Sequence, residues 1–119
     1  MAKIIVVTTN YVPGMKITKV IGPAFGLIVR SRGLGGNIVA GLRTILGGEI
    51  KEYTKMLSES REHAVGRLED NARRMGANAV VGMSFDSSEM GETMTEVVAY
   101  GTAVVVKQEK GKVDPVSLR

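Results

Sequence analysis

The sequence predicts an α+β domain, and three features predict it. Small and apolar residues recur at Ile50, Tyr53, Leu57, Ala64, Leu68, Ala72 and Met75, which share one face at about 3.6 residues per turn and specify a long amphipathic helix. A shorter helical pattern, Ile38, Leu42, Ile45 and Leu46, stands just before it. Around both lie β-branched runs with the composition of strands, the clearest being Ile4 to Thr8 and the last fifteen residues before Lys107. A chain of 119 residues fits one domain, assigned here to residues 1–106, with 107–119 a polar, partly disordered tail interrupted by Pro115.

In chain order, Ile4 to Thr8 reads as a central strand, and Asn10 to Gly14 turns the chain through Pro13-Gly14. Met15 to Val20 and Ala24 to Arg30 read as strands separated by a break, bulge or bend at Gly22-Pro23. A glycine-rich loop, Ser31 to Asn37, leads into the short helix with Asn37 as its N-cap. The long helix starts after Gly47-Gly48, with Glu49 at its positive end and Arg73 and Arg74 at its negative end, and Gly76 is the expected left-handed stop. Ala77 to Gly82 should be a strand buried under that helix, Asp86 to Gly91 a polar turn, and Glu92 to Val106 the last strand. Both sides of this last strand are mostly apolar, so it belongs inside the sheet or has one face covered by another subunit.

The bulk numbers exclude several classes. An apolar fraction of 44% with 24% charged residues is that of a soluble globular protein, and no run is long enough for a membrane span. No signal peptide is recognisable before Pro13, and with no cysteine there is neither a disulfide nor a thiolate site; both point to the cytoplasm. The net charge of +4 is unevenly spread: residues 1–48 carry Lys3, Lys16, Lys19, Arg30, Arg32 and Arg43 and no acid, whereas residues 49–106 carry ten acids against six bases. Such a split suits an anionic partner or complementary faces of one molecule meeting in a homo-oligomer. Nucleic acid is disfavoured, because there is no Trp, only two Phe and three Tyr, and no RNA- or DNA-binding motif.

Chemistry is thinly marked. The loop Ser31 to Asn37, flanked by Arg30 and Arg32, could cradle an anion, but it lacks the Lys-Ser/Thr of a phosphate loop, and a plain strand-to-helix connection explains it more simply. Arg30, Arg32, Glu49 and Tyr53 are the candidate ligand-binding residues, because both glycine-rich helix starts lie beside them. Asp86 and Glu89, with Glu92 and Glu96 nearby, could hold a hard cation, though solvated turn charge is the heavier reading. His63 has Glu59 and Arg67 one turn to either side, which suits a surface ion pair; no nucleophile–base pair is visible, no cofactor is indicated, and the expectation is a non-enzyme.

Val7-Thr8-Thr9, Ile17 with Gly22, Gly41-Leu42-Arg43, Gly47-Gly48-Glu49 with Tyr53, Gly76-Ala-Asn-Ala-Val-Val-Gly82 and Gly101-Thr-Ala-Val104 together resemble the YbjQ-like family, across Ile4 to Val106. The resemblance implies an antiparallel sheet with one short and one long helix, assembled as a homopentameric ring, and no established activity. The family is catalogued under a heavy-metal-binding label. This chain departs from what that label needs: it has no Cys, and Ser84, Ser87 and Ser88 stand in the turn where relatives carry more acid, leaving Asp86 and Glu89. The leading expectation is a homo-oligomeric binding or scaffold protein; the alternative is a small-anion or metal-ion site at a subunit junction.

Overall fold

The computed structural model describes residues 3–31, 51–91 and 94–109, and within them four strands and one helix. These are β1 (Ile5–Val6), β2 (Met15–Ser31), α1 (Lys51–Arg74), β3 (Ala79–Met90) and β4 (Met94–Gln108). The strands form one sheet in the order β1-β3-β4-β2. β4 lies between two antiparallel neighbours, as its apolar residues on both sides require.

The sheet is mixed, not purely antiparallel as expected. β1 runs parallel to β3, pairing Ile5 with Ala79 and Val6 with Val80. The whole of β2, α1 and the turn after it intervene, so the chain returns beside β1 in the same direction, which is how a parallel pair arises. The expected break at Gly22-Pro23 is a bulge inside one long strand: register with β4 shifts between Val20 and Gly22, and again between Ile17 and Lys19. The expected turn at Asp86 to Gly91 is also corrected. β3 continues to Met90, paired with Met94, and the chain turns at Gly91, whose φ is 71°. Polar residues there are compatible with a strand because they lie on a solvent-facing margin of the sheet. β4 extends two residues past Val106, so Lys107 and Gln108 belong to the sheet and not to a tail. The short helix expected over Ile38 to Leu46 lies outside the described residues.

α1 ends as its sequence indicates. Gly76 adopts φ 92°, its N–H donates to the Arg73 carbonyl at 3.0 Å, and the Ala77 N–H reaches back to the Ala72 carbonyl at 3.0 Å. This pair of bonds satisfies carbonyls that the helix end would otherwise leave open. The next residue locks the return into the sheet: the Asn78 side chain donates to the Val106 carbonyl at 2.9 Å and accepts from the Val106 N–H at 2.8 Å.

α1 lies mainly across β2 and β4 and also covers the start of β3, as expected, where Val80 is fully buried on the helix side. Ala64, Leu68 and Ala72 are fully buried and pack with Ala24, Ile28, Val97, Ala99 and Ala103. Alanine on both sides brings the layers close, and Gly26 brings them closest: a Cβ there would fall on the backbone of Ala64 and Leu68. On the other face, the segment after β1 folds back so that Val12 is buried with Ile5, Ala79, Val81, Val104 and Val106. That second core covers only one end of the sheet.

The helix also closes part of the outer edge of β2. The Arg67 guanidinium donates to the Leu27 carbonyl at 2.7 Å, and the Asn71 amide donates to the Phe25 carbonyl at 2.6 Å. These side chains occupy acceptors that an exposed strand edge would present to another chain. No helix among the described residues is long and apolar enough to cross a membrane.

Replacing Gly26 with alanine should lower stability by about 3 kcal/mol in urea denaturation, because backbone and not a flexible side chain must move. Gly66, on the exposed side of α1 with nothing within 4 Å of its Cβ position, is the control. Its alanine variant should gain about 0.5–1 kcal/mol from helix propensity.

Candidate functional site

Alternation along β2 sends Ala24, Gly26 and Ile28 to the helix and Phe25, Leu27 and Val29 to the opposite face. On β4 the residues across from them behave likewise: Val97 and Ala99 face the helix, while Val98 and Tyr100 face away, paired in register with Leu27 and Phe25. The outcome is an apolar band on the sheet face opposite α1. Phe25 is 54% exposed, Leu27 and Val29 are each 45% and Tyr100 is 39%, and the Phe25 and Tyr100 rings lie 6.4 Å apart. Ser84, Asp86 and Ser88 of β3 border the band on one side. Large aromatic and branched side chains contiguous on one face are the feature that soluble monomers rarely show.

A cleft of about 480 Å³ lies on the helix side, between the start of α1 and the distal β3–β4 hairpin. Met56 and Leu57 supply apolar walls, and Arg61, Ser87, Ser88, Glu89 and Thr95 supply polar ones.

Of the residues singled out from sequence, Arg30, Asp86 and Glu89 have described side chains. Arg30 is engaged within its own chain: one guanidinium nitrogen meets Glu59 Oε2 at 3.3 Å, and another meets His63 Nδ1 at 3.2 Å. For His63 to accept that bond its ring must be neutral with the proton on Nε2. The three side chains form a clasp between the end of β2 and the first half of α1. Arg32 and Glu49 lie outside the described residues, as does the side chain of Tyr53. Asp86 and Glu89 are parted by the sheet: an odd separation along a strand sends them to opposite faces, Asp86 beside the apolar band and Glu89 into the cleft. Sequence reasoning missed Glu59 as the partner of Arg30, and no local signal could have found it, because 29 residues separate them. The apolar band had a signal in the second side of β4, but its β2 half emerged only with the register.

The family model described as "Putative heavy-metal-binding" matches residues 4–107. The chain belongs to the YbjQ family. It is 64% identical to a UPF0145 protein of Methanoregula boonei over 98% of this chain and 97% of the relative, and 62% identical to one of Thermoplasma volcanium over 97% and 94%. A crystal structure of a Pediococcus pentosaceus protein of unknown function, from the DUF74 family, is similar in fold with a TM-score of 0.53 at 15% identity, covering 87% of this chain and 98% of that one.

The metal in the YbjQ family's description finds no fitting donor set among the described residues. Thiophilic ions take thiolates and imidazoles, and the chain has no Cys and one His, whose Nδ1 is held by Arg30. Among the described residues no three His, Asp or Glu side chains stand close enough to share an ion. Titration with Zn²⁺ or Cd²⁺ should therefore leave the thermal unfolding temperature unchanged, whereas a rise that grows with metal concentration would reveal a site. The clasp itself should be weak, since Glu59 is 44% exposed at the side chain. A double-mutant cycle of Arg30→Ala with Glu59→Ala should give a coupling of about 0.5 kcal/mol in denaturant unfolding.

Proposed function

We propose that this YbjQ-family chain is a non-enzymatic, homo-oligomeric binding or scaffold protein of the cytoplasm, whose copies cover one another's bare apolar half-sheet. Five copies is the number the family resemblance implies. The observation that carries the reading is the band of Phe25, Leu27, Val29, Val98 and Tyr100. One end of that sheet face has its own cover in the segment around Val12, and the other end has none among the described residues. Burying half-exposed side chains of this size contributes on the order of 1 kcal/mol each toward offsetting the cost of association.

The reading as a non-enzyme is supported by the single imidazole, whose Nδ1 is taken up by the Arg30 guanidinium. The small-anion or metal-ion alternative is weakened because Arg30, its best-placed cation, already has a carboxylate beside it.

Sedimentation at micromolar concentration should give a mass of several subunits. The pair of changes Leu27→Lys and Val29→Lys, both at exposed positions, should reduce it to one subunit while leaving the circular dichroism spectrum unchanged. A wild-type chain that sediments as a monomer would defeat the proposal.

A further inference from the structure

The cleft between the start of α1 and the distal β3–β4 hairpin lies on the sheet face opposite the apolar band, and its volume of about 480 Å³ is that of a small-molecule site. Register builds its floor. Phe85, Ser87 and Glu89 of β3 pair with Ala99, Val97 and Thr95 of β4, and these residues alternate toward the helix. Ser87, Glu89 and Thr95 therefore line the cleft, with Met56, Leu57 and Arg61 of α1 as its walls.

Two of these groups lack the partners that a purely structural role would give them. Thr95 is 9% exposed, yet its hydroxyl makes no hydrogen bond among the described residues. A buried hydroxyl without a partner destabilises the fold, and a bound molecule that bonds to it removes that penalty. Arg61 has no ion pair or hydrogen bond among the described residues; its guanidinium lies over the Phe85 ring, 5.4 Å from the centroid. A ring face attracts the cation without using up its N–H donors.

The charges lining the cleft select the ligand class. Arg61 stands at the Phe85 end, and Glu89 is four strand residues, about 13 Å, further on, so two opposite charges share the cleft without pairing. Glu89 keeps a contact of its own within the chain, but a carboxylate has about four acceptor sites and can also take a ligand's protons. A plain anion drawn to Arg61 would meet the Glu89 carboxylate, and a plain cation drawn to Glu89 would meet Arg61. A molecule that carries both charges satisfies both groups, and Met56 and Leu57 favour an aliphatic body.

We propose that this cleft binds a small aliphatic zwitterion, either a free amino acid or a short peptide. Its carboxylate lies on Arg61 and Ser87, and its ammonium on Glu89 and the Thr95 hydroxyl. The two sources share this chemistry and differ in span, since an extended dipeptide sets its charged ends about 7 Å apart. The site is built within one chain and needs no second copy, so it stands or falls separately from self-association.

Isothermal titration calorimetry of the full chain with L-leucine and with leucyl-leucine tests this. At least one should bind saturably with a dissociation constant below about 1 mM, and the tighter of the two identifies the source. Its N-acetylated and its amidated forms, each short of one charge, should bind at least about tenfold more weakly, and so should the unmodified ligand to Arg61→Met or Glu89→Gln. Both side chains are exposed, so both variants should keep the wild-type circular dichroism spectrum. Thr95→Val separates a ligand role from a structural one: it should raise the urea midpoint of the ligand-free chain while weakening binding about tenfold. No saturable heat with either ligand up to about 10 mM would overturn the proposal. Equal binding of the blocked forms, unchanged affinity in Arg61→Met and Glu89→Gln, or a lowered midpoint in Thr95→Val would overturn it as well.

Discussion

One helix can cover one face of a sheet. In this chain α1 is committed to the face built from Ala24, Gly26, Ile28, Val97, Ala99 and Ala103, and the close approach at Gly26 leaves it no freedom to serve the other. Among the described residues, what remains for the second face is the short segment that buries Val12, and it reaches only the end where β1 stands. The apolar band from Phe25 to Val29 and across to Tyr100 is the remainder. Its exposure follows from the elements available among the described residues, because β2 and β4 are apolar on both sides there, where a two-layer monomer would alternate apolar with polar.

The same arithmetic gives the family's motif a structural meaning. In Gly76-Ala-Asn-Ala-Val-Val-Gly82, Gly76 stops the helix, Asn78 grips both backbone groups of Val106, and Ala79, Val80 and Val81 alternate between the two cores. Gly82 has φ 62° and donates to the Thr9 carbonyl, at the point where the first edge of the sheet ends and the open edge of β3 begins. Every position has a folding task, and none presents a reactive group.

The helix, its glycine stop and the interior position of β4 were legible from periodicity and composition, because each is set by residues close in sequence. The parallel pairing of β1 with β3 was not, since it depends on where the chain returns after α1. The strand through Asp86 to Met90 was hidden for a different reason: a polar face and an open edge remove the apolar alternation by which strands are recognised, and Ser87 and Ser88 then read as turn. Of the candidate ligand residues, Arg30 has partners that the sequence did not show, because Glu59 and His63 approach it only through the packing of α1 on β2.

Side-chain accessibility of the two aromatic rings probes the central idea most directly. Hydroxyl-radical footprinting of Phe25 and Tyr100 across a dilution series should find both protected at high protein concentration and increasingly modified as the chain is diluted, with the buried Val12 segment unchanged throughout. Equal and high modification of both rings at every concentration would mean that water covers this face in solution, and the account would be wrong.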